Sequence, residues 1–194
     1  MVDTFKGISG YFKIESIKDG KVIDSFEQHN LIMDEARNIF AKLLANINGQ
    51  PVVDKFVMGN CGHVGADAND PSAGDILVPK SEADGFTSDR TMLFAEETGT
   101  DGVNYNSIEF TVDGVSGNTV TASDSISTVN TTVNGHEVVY IIDIDNNALN
   151  ASSGSIVYTE CAFYAGSEIF SMRTFKGKVK DNTVGLRITW KIIF

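Results

Sequence analysis

Apolar and polar residues alternate along "VGLRITWKIIF" at the end of the sequence. Val184, Leu186, Ile188, Trp190, Ile192 and Phe194 take every second position, with Gly185, Arg187, Thr189 and Lys191 between them. A period of two is that of a strand with one buried face. The pattern therefore predicts that the sequence finishes inside a sheet, where most chains finish in loose polar residues. Near the start, "GYFKIESIKDGKVIDSFEQ" predicts a hairpin: Phe12, Ile14 and Ile17 precede Asp19-Gly20, and Val22, Ile23 and Phe26 follow. Asp-Gly suits the tight turn because both residues tolerate positive φ.

The period changes once. In "NLIMDEARNIFAKLLANING", Ala36, Ile39, Phe40, Leu43, Leu44 and Ile47 recur at spacings of three and four, an apolar helical stripe. The stripe predicts one amphipathic helix over 34–47, capped by Asp34 and stopped at Asn48-Gly49. Its wet side carries Glu35, Arg37, Asn38 and Lys42, so it is expected to lie across the sheet. A strand is expected at "VVDKFVMG". The stretch from Asn60 to Gly85 has little periodicity, is rich in Gly, Ala, Asp and Ser, and reads as a long loop or arm. Within it "DILVP" places Ile76, Leu77 and Val78 together; these are the expected assembly contacts, by strand addition to a neighbouring subunit. Packing of Ile76 and Val78 on the chain's own sheet is the alternative.

Strand patterns resume in "RTMLFAEE", "NSIEFTV", "NTVTASDSIST", "HEVVYIIDID", "SGSIVYTECAFYAG" and "SEIFSMRTFKG". Turn-formers such as Thr98-Gly99, Asp113-Gly114, Ser116-Gly117 and Asn134-Gly135 separate them. About nine strands at roughly ten-residue spacing predict a mainly β chain. The expected architecture is one domain over 1–194, an antiparallel β-sandwich or jelly-roll-like fold with one helix near the N-terminus. Its core is expected to join Ile39, Phe40 and Leu43 to Trp190 and Phe194.

Charge narrows the function. Fifteen basic and 26 acidic residues give a formal net charge of −11, a surface that repels phosphates and anionic lipid, so neither nucleic acid nor membrane is an expected partner. No apolar run reaches membrane-spanning length and no secretory leader pattern opens the sequence. Cys61 and Cys161 are read as reduced thiols.

Candidate chemistry is sparse. Cys61 and His63 lack the second ligand pair of a zinc site. Asp143, Asp145 and Asn147 begin like a calcium loop, but Ala148 stands where its glycine belongs and Gly154 where its bidentate Glu belongs. Asp67, Asp70 and Asp75 read as a solvated acidic loop, and Glu96-Glu97 has no visible partner acid. No catalytic residue, metal or cofactor is expected.

The order of motifs is nevertheless informative. "NLIMDEAR" (Asn30 to Arg37) follows the initial hairpin. "TECAF" (Thr159 to Phe163), "IFSMRTF" (Ile169 to Phe175) and "WKIIF" (Trp190 to Phe194) follow near the end. This order resembles virion structural proteins of tailed bacteriophages. The resemblance implies a non-enzymatic structural component made in the host cytoplasm and incorporated in the virion. The expected role is a collar, tail-fibre or adaptor subunit partnered by copies of itself and by other virion proteins. Capsid decoration is the alternative within that class, and a carbohydrate-binding tail module the alternative outside it.

Overall fold

The computed structural model describes residues 7–45, 47, 52–64, 75–76, 93, 106–112, 119–122, 127–151 and 153–194. The hairpin forms as its sequence dictates. Strands β1 (Ser9–Lys18) and β2 (Lys21–Gln28) are antiparallel, joined by Asp19 at φ 51° and Gly20 at φ 73°. Ser16 pairs with Asp24 but Ile17 pairs with Val22, which leaves Ile23 as a bulged extra residue. β2 stands at one end of the strand order, and a bulge there discourages pairing with a foreign strand.

A two-residue strand β3 (Leu31–Ile32) leads into helix α1 (Asp34–Leu44). The cap differs from expectation. Met33, extended at φ −75° and ψ 158°, is the N-cap, and Asp34 is the first helical residue. Tertiary packing sets this boundary: the Met33 side chain is buried beside Ile169 and Met172, and its amide donates to the Phe170 carbonyl at 3.1 Å. At the other end the Ile47 amide donates to the Lys42 carbonyl at 3.1 Å, the 6→1 bond of a Schellman-type stop. The helix is thus shorter than 34–47, and Asn48-Gly49 lies outside the described residues.

The remaining strands are β4 (Val53–Gly59), β5 (His63–Val64), β6 (Asp75–Ile76), β7 (Asn106–Val112), β8 (Thr119–Ala122), β9 (Ser127–Asn134), β10 (Glu137–Ile144), β11 (Ile156–Ala165), β12 (Glu168–Lys180) and β13 (Gly185–Ile193). Their order is β2-β1-β13-β10-β9-β8-β7-β4-β11-β12-β3, with every neighbouring pair antiparallel. β7 turns the corner: Asn106 to Glu109 pair with β4, whereas Phe110 to Val112 pair with β8. The two halves of the ribbon close on each other as an antiparallel β-sandwich. Aromatic rings fill the interface. Trp190 lies 5.0 Å from both Phe12 and Phe163, and Phe12 stacks on Phe175 at 5.5 Å.

β13 lies between β1 and β10, with Trp190 opposite Phe12 on one side and Tyr140 on the other. β13 is therefore an interior strand, and its strict alternation follows from burying one face against the core while the other stays partly exposed. Trp190 is buried as expected. Phe194 is not: it is 45% exposed, because it follows the last strand residue and sits at the mouth of a groove, with the Phe40 ring edge-on to it at 4.9 Å. Leu43 also departs from the expected core at 42% exposed, while Ile39 is buried and Phe40 half-buried. The helix seats its first two turns on the sheet and its last turn lies off it.

A second buried cluster lies on the other face of the β4–β11–β12 layer, where Val57, Ala162, Tyr164, Ile169 and Met172 meet Met33 and Leu93. Both faces of β11 are consequently buried along its whole length. Part of the expected arm belongs to the chain itself: His63–Val64 pairs with Asp75–Ile76. Of the expected assembly contacts, Ile76 pairs through its backbone with His63, and Leu77 and Val78 lie outside the described residues. So do the strand expected at "RTMLFAEE", Leu93 excepted, and Glu96-Glu97.

Candidate functional site

β13 runs between two chemically opposite ends of the sandwich, roughly 26 Å apart at about 3.3 Å per residue. Its start lines a polar pocket of about 500 Å³ with Asp19, Asp143, Asn146, Thr183 and Arg187. Arg187 forks onto Asp143 across the strand pair, with Nε at 2.6 Å from Oδ1 and Nη2 at 3.1 Å from Oδ2. That hydrogen bonding holds the guanidinium above its ordinary pKa. Asp181 accepts from the Thr183 hydroxyl and amide, both at 2.7 Å, which lowers its carboxyl below the ordinary range.

The stretch that begins like a calcium loop lies here. Asp145 Oδ1 accepts from the Asn147 amide at 2.9 Å and its side-chain Nδ2 at 3.2 Å. Asn150 Nδ2 donates to the Asn146 carbonyl at 2.8 Å, and the Tyr158 hydroxyl to the Leu149 carbonyl at 2.8 Å. A cation does reach the loop, and it is covalent. The Lys180 ammonium donates to the Asn146 carbonyl at 3.0 Å, Asn150 Oδ1 at 2.7 Å and the Asp181 carbonyl at 3.0 Å. Lys180 is buried, and desolvation lowers its pKa to about 8 against the opposing pull of Asp181 and Asp145. An ammonium satisfied by three oxygens ties the loop to the end of β12, as a bound ion ties loops elsewhere.

Among the described residues, no three His, Cys, Asp or Glu side chains gather as a metal set. The Cys61 thiol donates to Asn60 Oδ1 at 3.7 Å. Asp75 lies in β6, and Asp67 and Asp70 are outside the described residues. Cys161 is fully buried in the core, and desolvation raises its thiol well above the ordinary value.

The far end of β13 is apolar. Ile39, Phe40, Val53, Tyr140, Phe170 and Ile192 line a groove of about 170 Å³. Burial pushes the Tyr140 hydroxyl up to about 12. Leu43, Val52 and Phe194 form the rim, and the apolar stripe that begins on α1 continues from Leu43 to Leu44, 89% exposed, and to exposed Ile47. Leu44 follows Phe40 by one helical turn, so the projecting group and the groove share one surface. The helical spacing indicated these residues, but as core. Sequence pattern gave no signal for Lys180 or Lys178, since Lys176, Lys178 and Lys180 alternate like a wet strand face and two of them are buried.

No protein-family profile, curated protein or solved structure matches this chain.

Proposed function

We propose that this chain is a non-enzymatic structural subunit of a tailed-phage virion, acting through subunit–subunit contacts as a collar, fibre or adaptor component. The observation that carries the assembly reading is the apolar end, where Leu43, Leu44, Ile47, Val52 and Phe194 are exposed around an apolar groove. Contiguous apolar surface rimmed by polar residues is characteristic of protein interaction sites. The virion itself rests on the ordered motifs from Asn30 to Arg37, Thr159 to Phe163, Ile169 to Phe175 and Trp190 to Phe194. An acidic surface keeps such a subunit soluble before it assembles.

The polar pocket favours a second reading, a carbohydrate-binding tail module, because carboxylate, amide and hydroxyl groups converge there. Light scattering and negative-stain microscopy of the purified protein, with mass spectrometry of gradient-purified particles, separate the two. Symmetric oligomers and copies in the particle are expected. A monomer that is missing from particles and binds oligosaccharides overturns the structural reading and supports the second one.

A further inference from the structure

We infer that the apolar end is a two-fold interface between copies of this chain, with Leu44 of each copy entering the groove of the other. The inference rests on the assembly reading above and assigns it a surface made of other residues than the Ile76 to Val78 segment that sequence pattern favours. A cavity of about 150 Å³ lined by aliphatic and aromatic groups accommodates a molecule of benzene's size, so the 170 Å³ groove has room for one leucine side chain. Knob and hole occupy the same patch. That is the requirement of an isologous contact, in which residue i meets j and j meets i across the axis. A hole with its knob elsewhere on the molecule would instead give a head-to-tail ring or an open polymer.

Area and chemistry favour a second copy as the occupant. Five exposed apolar side chains present on the order of 500 Å², so pairing removes about 1,000 Å² of apolar surface; specific interfaces begin near roughly 1,200 Å² in total. Exposed Arg37 and Ala41, which flank Leu44 on α1, extend the contact, with Arg37 at its polar rim. The floor is prearranged: Phe40 is edge-on to Phe170 at 5.3 Å and to Phe194 at 4.9 Å, so its ring is positioned without waiting for a partner.

The test compares sedimentation of the wild-type protein, Leu44→Glu and Ile23→Glu over a wide concentration range, with melting temperatures. Leu44 and Ile23 are both exposed, so neither substitution disturbs the core, and Ile23 lies on the β2 bulge away from the groove. A wild-type dimer, an Ile23→Glu dimer and a Leu44→Glu protein that associates about tenfold or more weakly are expected, with melting temperatures that agree when compared at concentrations where all three are monomeric. Wild-type association that Leu44→Glu leaves intact overturns the inference and leaves the assembly reading standing. A wild-type monomer throughout also overturns it, and the presence or absence of the chain in purified particles then decides the assembly reading separately.

Discussion

Lys178 Nζ lies 2.5 Å from Asp24 Oδ2, joining β12 to β2 across a side of the sandwich where the two strands are not neighbours in the sheet. The lysine side chain is 1% exposed and the aspartate 57%. Earlier on the same strand, Arg173 of β12 does the same work: Nη1 donates to the His29 carbonyl at 2.9 Å and Nη2 donates to Gln28 Oε1. Side chains thus close the seam between the two ends of the strand order. Asp24→Ala leaves a buried ammonium without its carboxylate. Losing a fully buried pair costs about 3–5 kcal/mol, and solvent access to Asp24 reduces this to about 1–2 kcal/mol. Lys178→Met, which removes the charge and keeps the stem, is expected to cost less. Urea unfolding of both variants checks the order.

Lys180 carries a pH dependence of definite sign. Its ordinary pKa is 10.5 and its folded value about 8. Between those values the unfolded chain binds a proton that the folded chain has released, so this residue's contribution to stability rises with pH and is flat below about 8. The unfolding free energy of wild type minus that of Lys180→Met is expected to climb from pH 8 to 10.5. A difference that stays level or falls would contradict the burial assigned to the ammonium.

Trp190 and Phe194 share a strand pattern but differ in cost. Trp190→Ala empties the centre of the aromatic core and is expected to lose about 3–5 kcal/mol. Phe194→Ala removes a ring already half in water at the mouth of the groove, edge-on to Phe40, and about 1 kcal/mol is expected. Melting temperatures of the two variants measured together give the comparison.

Gly62 is tightly placed. A Cβ there would lie 2.4 Å from the Thr159 carbonyl oxygen, and its amide donates to Thr159 Oγ1 at 2.8 Å. The obstructing atom is backbone of β11, buried on both faces, so it does not yield. Gly62→Ala is expected to cost about 2 kcal/mol and to speed proteolysis between Asn60 and Val64.

Period and turn chemistry alone determined much of what is described of this protein: the Asp19-Gly20 hairpin, the helix, most of the described strands, and the buried register of Val184 to Ile192. These are local properties, set by which neighbours along the chain share a face. Tertiary structure decided the rest. Met33 became the helix cap because Ile169 and Met172 bury it. Leu43 and Phe194 stayed in the buried phase of their patterns yet lie exposed, since periodicity gives a side chain's direction and not whether another element covers it. Lys178 and Lys180 went inside because Asp24, Asn146 and Asn150, distant in sequence, supply the oxygens that make burial of an ammonium tolerable.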